Sequence, residues 1–212
     1  TLNTILEKVE NADFCGLEKE IILIDDCSTD GTKELYKKFS HKVIYHEKNQ
    51  GKGAALRDGI NIASGDIIII QDADLEYNPQ DYEQLVKMIY DGNTGVCYGS
   101  RFLDKDSQKL FSPLQLFANK FLTFLTKFLY HSNLTDMETC YKAFSKNAIK
   151  SVHLSANGFD IEPEITAMLL KNGYKIIEKP ISYTGRSKLQ GKKIRAKDGL
   201  YAIGMLIKKK FS

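Results

Sequence analysis

Two carboxylates stand two residues apart directly after the most apolar stretch of the chain. In residues 66–81, DIIIIQDADLEYNPQD, Asp72 and Asp74 follow the isoleucines and Glu76 comes two residues later. Carboxylates with this spacing at a strand end can face one cation, and hard oxygen ligands suit Mg²⁺ or Mn²⁺. Such an ion could bridge a diphosphate and stabilise it as a leaving group. The alternative is a solvated turn before the helix that starts near Pro79.

A second acidic group follows another apolar run. Asp25 and Asp26 end the segment EIILIDD, and CSTDGT comes next. Ser28 or Asp30 can cap the following helix, and acidic residues there also suit the helix dipole. We expect one of these two to cap that helix, and Asp25 and Asp26 to face the ligand.

Residues 49–57, NQGKGAALR, form a glycine-rich segment that opens a helix. The pattern GxxxxGK[ST] is absent, and Leu56 stands where a dinucleotide-binding fingerprint needs glycine or alanine. The segment can still offer backbone N–H groups and Arg57 to an anionic ligand. An ordinary turn at a helix start explains these glycines equally well.

The remaining candidate cations lie outside these acidic groups. Arg101 ends a predicted strand, and residues 185–193, GRSKLQGKK, include Arg186 and Lys192. A basic loop of this kind can clamp a phosphate. It can also be a solvated linker.

Strand and helix patterns alternate through the first half of the chain, which predicts a parallel α/β sheet. The predicted strands are residues 20–26, 42–47, 66–72 and 95–101. The isoleucine run is typical of a central strand buried on both faces. Ligands of such sheets bind at the carboxyl ends of the strands, where three of the polar groups described above should converge.

The second half contains a long amphipathic pattern, residues 112–130, SPLQLFANKFLTFLTKFLY. On a helical wheel Asn119, Thr123 and Thr126 fall opposite a broad apolar face that contains Leu114, Phe117, Ala118, Phe121, Leu122, Phe124, Leu125, Phe128 and Leu129. So wide a face fits core packing or a membrane surface. The tail contains a second apolar helical pattern, followed by residues 208–210, KKK. This combination favours contact with anionic lipid.

Composition excludes several classes of protein. The net charge of +3 is too small to indicate a nucleic-acid partner. The four cysteines form no CxxC pair, which favours free thiols in a reducing compartment. No apolar run approaches the roughly 18 to 20 residues of a spanning helix. The sequence contains no G-x-S-x-G motif, so it does not indicate a hydrolase of that type.

Several segments, in this order and spacing, resemble family 2 glycosyltransferases with the GT-A fold: IILIDDCSTDGT, NQGKGAALRDGI, IIIIQDADLEYNP and YGSRF. Later segments are similar to the polyprenyl- and dolichyl-phosphate sugar transferase branch: TDMETCYKAF, GFDIEPEIT and ISYTGRSKLQGKKI. The resemblance implies an α/β fold with a mostly parallel central sheet flanked by helices. We expect one catalytic domain over residues 1–212, with a nucleotide-sugar half (1–111) and an acceptor and membrane-surface half (112–212).

The resemblance also implies roles for the donor-side residues. Asp25 and Asp26 would contact the base and ribose of the nucleotide. Asp72, Asp74 and Glu76 would hold the metal and the sugar diphosphate, with Asp74 as a catalytic residue. The family's second donor-side motif matches Arg57 and Asp58.

On the acceptor side the resemblance implies two catalytic arginines. Arg101 would meet the acceptor phosphate, and Arg186 would lie with Lys192 in a loop that closes over phosphate groups. The family also opens with a strand carrying a P-x-Y-N-E-like motif, and this chain begins after it. We therefore expect an incomplete nucleotide pocket.

The expected function is inverting transfer of a sugar from a UDP- or GDP-linked donor to a polyprenyl phosphate. The reaction would take place at the cytoplasmic face of a membrane. One alternative is a transferase with a soluble or polysaccharide acceptor. Another is a non-catalytic, membrane-associated module with a GT-A-like fold.

Overall fold

The computed structural model describes residues 1–185 and 196–212. Its strands are β1 (Ile22–Asp25), β2 (Lys42–Tyr45), β3 (Ile67–Ile69), β4 (Val96–Ser100), β5 (Lys142–Ser145) and β6 (Ile176–Pro180). Its helices are α1 (Leu2–Asn11), α2 (Thr32–Tyr36), α3 (Lys52–Ile62), α4 (Tyr82–Tyr90), α5 (Lys105–Gln108), α6 (Pro113–Tyr130), α7 (Lys146–Lys150), α8 (Ile161–Lys171) and α9 (Ala196–Phe211). A 3₁₀ helix (Pro79–Asp81) precedes α4. All four predicted strands are present, each shorter than its apolar run.

The strands form a parallel pair, β1–β2, and a four-stranded sheet in the order β3-β5-β4-β6. In the larger sheet β4 and β6 are parallel, and β5 is antiparallel to both β3 and β4. Three of its strands therefore run in one direction, which confirms the α/β class with a mostly parallel sheet. The antiparallel β5 was not predicted. It follows α6 and a long loop rather than a simple crossover helix, so its direction is not constrained to be parallel.

The isoleucine strand lies at one end of this strand order, so the prediction of a central strand was wrong. Both of its faces are nevertheless covered. Ile68 and Ile70 pack in a cluster with residues of α8, and Ile67 and Ile69 pack against a cluster with residues of α4. Coverage of both faces by helices explains the unbroken apolar run.

The buried side of α6 includes residues that lie opposite its broad apolar face. Thr123 and Thr126 are buried, as is Leu122. The hydroxyl of Thr123 accepts a hydrogen bond from the backbone N–H of Met137, and that of Thr126 donates to the carbonyl of Leu122. Because their hydroxyls are hydrogen-bonded, these small polar side chains can be buried in a close contact of the helix. Side-chain polarity alone would place them in solvent.

The opposite side of α6 exposes what we call the apolar ridge: Leu114, Phe117, Phe121, Phe124 and Phe128, each between 44% and 77% exposed. Their spacing of three and four residues places them along one face of the helix. The N-terminus of α6 is fixed by a capping box between Ser112 and Gln115. Within the described residues, no helix is both long enough and apolar enough to cross a membrane.

The C-terminal helix α9 packs beside α6, and the Tyr130 hydroxyl donates to the carbonyl of Leu206. The three lysines near its end make different contacts. Lys209 forms an ion pair of 2.7 Å with Glu164, and Lys210 lies 5.4 Å from the ring centre of Tyr130. Lys208 is exposed.

The start of α3 is packed tightly against residues 156–158. A Cβ added to Gly51 would lie 2.4 Å from the carbonyl oxygen of Asn157, and one added to Gly53 would lie 2.4 Å from that of Ala156. The Gly53 N–H donates to the Asn157 carbonyl at 2.7 Å. The glycines therefore allow two backbone segments to touch, a packing role that the glycine pattern did not specify.

We predict that Gly53→Ala destabilises the protein by about 1–3 kcal/mol, because its Cβ would clash with backbone that cannot move aside. Gly59→Ala, in the same helix, is the matched control. Its Cβ would make an ordinary contact of 3.5 Å with the Ile24 side chain, so we expect a gain of roughly 0.5–1 kcal/mol. Urea unfolding measures both. Equal stability of the two variants would contradict the packing described here.

Candidate active site

Two loops at the carboxyl ends of strands carry the predicted donor-side carboxylates. One follows β1 and the other follows β3, and each contains a non-glycine residue with positive φ: Cys27 at 64° and Leu75 at 64°. The left-handed conformation is costly for a leucine, by about 1–3 kcal/mol, and such strain concentrates at functional sites. The strain therefore supports a functional role for both loops.

Asp72 is one end of a buried ionic chain, defined as Asp72, Lys52, Glu162 and Lys142. Lys52 Nζ lies 2.9 Å from Asp72 Oδ2 and 2.9 Å from Glu162 Oε1. Lys142 Nζ lies 2.5 Å from Glu162 Oε2. Glu162 Oε1 makes no hydrogen bond in the described part of the chain, so its contact with Lys52 is an ion pair only. The four residues come from the loop after β3, α3, α8 and β5.

The charges of the buried ionic chain stabilise one another. Burial pushes the pKa of Asp72 upward, but the neighbouring Lys52 ammonium holds it below its ordinary value. Burial likewise pushes the pKa of Glu162 upward. The charges of Lys142 and Lys52 outweigh burial and bring this pKa below its ordinary value. Lys52 Nζ also donates to Cys140 Sγ at 3.1 Å. Ion pairing therefore favours the charged forms of Asp72, Glu162 and Lys52.

Asp74 and Glu76 lie in the same loop but make different contacts. Asp74 Oδ1 accepts a hydrogen bond from the Glu76 N–H at 3.1 Å. Glu76 Oε2 accepts one from the Tyr183 hydroxyl at 3.1 Å. Among the described residues, no three His, Cys, Asp or Glu side chains are arranged as a metal-binding group. The predicted ligands therefore share one loop without being assembled as a set, because Asp72 faces Lys52 and Glu76 faces Tyr183.

Asp26 and Asp58, predicted to contact the donor, both bind His46. His46 Nδ1 lies 2.7 Å from Asp26 Oδ1, and His46 Nε2 lies 2.9 Å from Asp58 Oδ2. The hydrogen bond to Asp26 is the main cause that raises the pKa of His46. Asp26 also accepts the N–H groups of Gln50 and Gly51 at 2.7 and 2.8 Å. Asp26 therefore joins the end of β1 to the start of α3.

Asp25 lies deeper than Asp26. It is 1% exposed, and its Oδ1 accepts the Ser28 N–H at 2.6 Å. Its Oδ2 is buried and makes no hydrogen bond within the described residues. The N-cap of α2 is Gly31, with no side-chain cap, so the expectation that Ser28 or Asp30 caps this helix was wrong. Asp30 nevertheless accepts hydrogen bonds from the N–H and hydroxyl of Thr32, the first residue of that helix.

The glycine-rich segment does not present a free anion site. The N–H groups of Gln50, Gly51 and Gly53 are bonded to Asp26 or to Asn157. Arg57 donates to the Ala156 carbonyl at 3.2 Å and to Asn157 Oδ1 at 2.7 Å. Of the two alternatives, these contacts favour an ordinary turn that opens a helix, because Asp26 and residues 156–158 engage the N–H groups.

Arg101 is 6% exposed and sits in a bidentate pair with Asp136. Its Nε and Nη2 each lie 2.7 Å from an oxygen of that carboxylate. Nη2 also lies 3.4 Å from Asn119 Oδ1, on α6. The guanidinium contacts the rings of Phe111 and Tyr183, with their centres 5.2 and 5.3 Å away. Arg101 therefore links the end of β4 to α6. The predicted residues Arg186 and Lys192 lie outside the described residues.

Several residues of this region were not predicted from the sequence as site residues. Lys52 was visible at the centre of GKG, and Asp136 and Lys142 lie in or beside TDMETC, but nothing local indicated their partners. Glu138, in the same segment, is half-buried, and burial raises its pKa to about 7. Its Oε1 makes no hydrogen bond in the part of the chain described.

Acidic loops at the carboxyl ends of strands in this α/β arrangement agree with the GT-A fold of glycosyltransferases. A model of the family described as Glycosyl transferase family 2 matches residues 1–152. The chain belongs to this family.

Two curated relatives carry sugar transferase names. The chain is 30% identical over 204 residues to a dolichol-phosphate mannosyltransferase of Pyrococcus furiosus, a match that covers 91% of this chain and 56% of the relative. It is 25% identical over 191 residues to a polyprenol monophosphomannose synthase of Mycolicibacterium smegmatis, covering 82% and 72%.

A solved structure supports the fold. Glucosyl-3-phosphoglycerate synthase of Mycobacterium tuberculosis in complex with UDP superposes with a TM-score of 0.74 at 17% identity, over 100% of this chain and 76% of that one. The same enzyme with Mn²⁺, UDP-glucose and phosphoglyceric acid gives a TM-score of 0.70 at 18% identity, covering 100% and 75%. This likeness concerns the fold alone.

The His46 contacts predict a pH-dependent stability. Because folding raises the pKa of His46, its contribution is fully present below its ordinary pKa of 6.5 and is lost as pH rises through the higher folded value. We expect His46→Gln to cost about 1–3 kcal/mol at pH 6 and less at pH 8. Urea unfolding at both pH values measures this. The exposed His153→Gln is the control, and a cost for His46→Gln that does not change with pH would refute the assignment.

Proposed function

We propose that this protein transfers a sugar from a UDP- or GDP-linked donor to a polyprenyl phosphate at a membrane surface, with inversion at the anomeric carbon. The observation that carries the acceptor assignment is the position of Arg101. It donates to Asn119 on α6, the helix that exposes the apolar ridge. A cation in contact with the helix that exposes an apolar surface suits a lipid with a phosphate head.

The donor would bind at the loops after β1 and β3. Asp25 Oδ2 is a buried carboxylate oxygen without a hydrogen bond in the described residues, and a base or ribose donor group would satisfy it. Asp26, Arg57 and Asp58 would support this side of the pocket through their contacts. The Mycobacterium tuberculosis enzyme of similar fold binds UDP and UDP-glucose.

The loop after β3 fits a divalent cation by the chemistry of its donors. Asp72, Asp74 and Glu76 supply carboxylate oxygens, which Mg²⁺ and Mn²⁺ prefer, and we assign the metal to them. When bound, the cation would neutralise charge on the departing nucleoside diphosphate. The complex of the fold neighbour with Mn²⁺ and UDP-glucose supports this assignment.

The chemistry requires little acid–base help from the protein. An oxygen of the acceptor phosphate attacks the anomeric carbon, and the bond from that carbon to the diphosphate oxygen breaks. A phosphate monoester is already anionic near neutral pH, since its second pKa is about 6. The protein therefore acts by positioning and charge stabilisation. We assign the acceptor phosphate to Arg101 and Arg186, with Lys192 closing over it.

A lipid acceptor agrees with the names of the two curated relatives, dolichol-phosphate mannosyltransferase and polyprenol monophosphomannose synthase. A soluble acceptor is the second candidate, because the fold neighbour was solved with phosphoglyceric acid. The exposed ridge favours the lipid, since large apolar side chains concentrated on one face mark an interaction surface.

A panel of UDP- and GDP-sugars with polyprenyl phosphate tests the activity. We expect one donor to be used, and Asp74→Asn to lower turnover about 10²–10³-fold through lost charge stabilisation. Asp66→Asn, at the other end of the same strand, is the matched control and should retain turnover. Unchanged turnover of Asp74→Asn would refute the metal assignment. Transfer only to phosphoglyceric acid would favour the soluble acceptor, and no turnover or nucleotide binding would favour a non-catalytic module.

Sedimentation with anionic vesicles tests the membrane surface. We expect Phe117→Ser and Phe124→Ser each to lower vesicle affinity by roughly tenfold, because each removes an exposed ring that would enter the lipid. Tyr90→Ser is the control, since Tyr90 is similarly exposed but lies on α4. Wild-type protein that stays in the supernatant would count against a lipid acceptor.

A further inference from the structure

The buried ionic chain runs from the core to the candidate donor loop. The side chains of Lys142 and Glu162 are 0% and 4% exposed, whereas those of Lys52 and Asp72 are 15% and 25% exposed. Lys142 is anchored in the core by the Thr139 carbonyl and by the ring of Tyr98, whose centre is 4.9 Å away. Only the Asp72 end therefore approaches solvent, where a ligand could reach it.

Lys52 is held by its backbone as well as by its side chain. The glycines on either side of it touch residues 156–158, and the Gly53 N–H donates to Asn157. The ammonium reaches Asp72, Glu162 and Cys140 at 2.9, 2.9 and 3.1 Å. One side chain on a fixed backbone makes all three contacts. Lys52 therefore ties the Asp72 carboxylate to the packed core.

Removal of the ammonium would leave two carboxylates facing each other. The Lys52 ammonium lies 2.9 Å from an oxygen of each carboxylate and bridges them. Without Lys52 between them, the two like charges would repel and Asp72 would turn away from its present position. This change alters the carboxylate that we assign to the metal. Lys52 contacts Oδ2 of Asp72, so Oδ1 lies outside this contact.

We propose that Lys52 is a positioning residue of the donor site: its ammonium, held between Asp72 and Glu162, keeps the Asp72 carboxylate oriented for the metal and the nucleoside diphosphate. Lys52 acts through Asp72 and does not itself need to touch the donor. The inference rests on the proposed function, because it concerns the carboxylates assigned there to the metal.

Calorimetry with UDP and GDP, in Mn²⁺ and in EDTA, tests this role without turnover. The quantity is the gain in nucleotide affinity that Mn²⁺ produces. We expect Lys52→Met to lower this gain by about 10- to 100-fold, the usual effect of removing a group that orients a metal ligand. Affinity in EDTA should not change, whereas a general loss of structure would lower both affinities.

A double-mutant cycle separates action through Asp72 from an independent effect. If Lys52 acts through Asp72, the variant Lys52→Met/Asp72→Asn should lose no more of the Mn²⁺-dependent gain than Asp72→Asn alone. Additive losses would overturn the proposal. Lys150→Met is the matched control, because Lys150 donates to the Ile60 and Asn61 carbonyls at the far end of α3. It should retain the full gain.

Other outcomes are equally decisive. An unchanged gain in Lys52→Met would overturn the proposal, and a larger gain would show that Lys52 competes with the cation for Asp72. If Lys52→Met does not fold, Lys52→Arg keeps the charge but cannot reproduce a compact three-way contact, so a reduced gain is expected and a full gain refutes the role. Wild-type protein that binds neither nucleotide with Mn²⁺ would refute the proposed function itself.

Discussion

A charged side chain that leaves water must find an opposite charge, and this requirement organises the interior around the candidate site. The buried ionic chain joins the loop after β3 to α3, α8 and β5. Arg101 and Asp136 form a second buried pair. Loss of one partner from such a pair costs about 3–5 kcal/mol. The elements that carry these charges are therefore held in one arrangement.

Close backbone packing supports the same arrangement. The glycines beside Lys52 allow α3 to begin in contact with residues 156–158, and Asp26 joins that point to the end of β1. The proposed diphosphate site needs carboxylates in fixed positions, since misplaced groups lose most of their effect. Rigid support from both backbone and ion pairs suits that demand.

The proposed acceptor side is built differently. Arg101 lies at the end of β4, and its contact with Asn119 connects it to α6. That helix is buried through small and hydroxyl-bearing side chains and exposes its phenylalanines. The arrangement leaves a large apolar surface on the helix that also contacts the proposed phosphate-binding arginine.

The sequence by itself determined the α/β class, the four strands of the first half and the acidic loops at their carboxyl ends. These follow from local patterns: apolar runs, turn residues and the residues directly after each strand. Only the tertiary structure decided that Asp72 faces Lys52, that Arg101 pairs with Asp136 and that β5 runs antiparallel. It also decided that Thr123 and Thr126 are buried while the apolar ridge is exposed. These features depend on which distant residues meet, and a helical wheel or a motif carries no information about the partner.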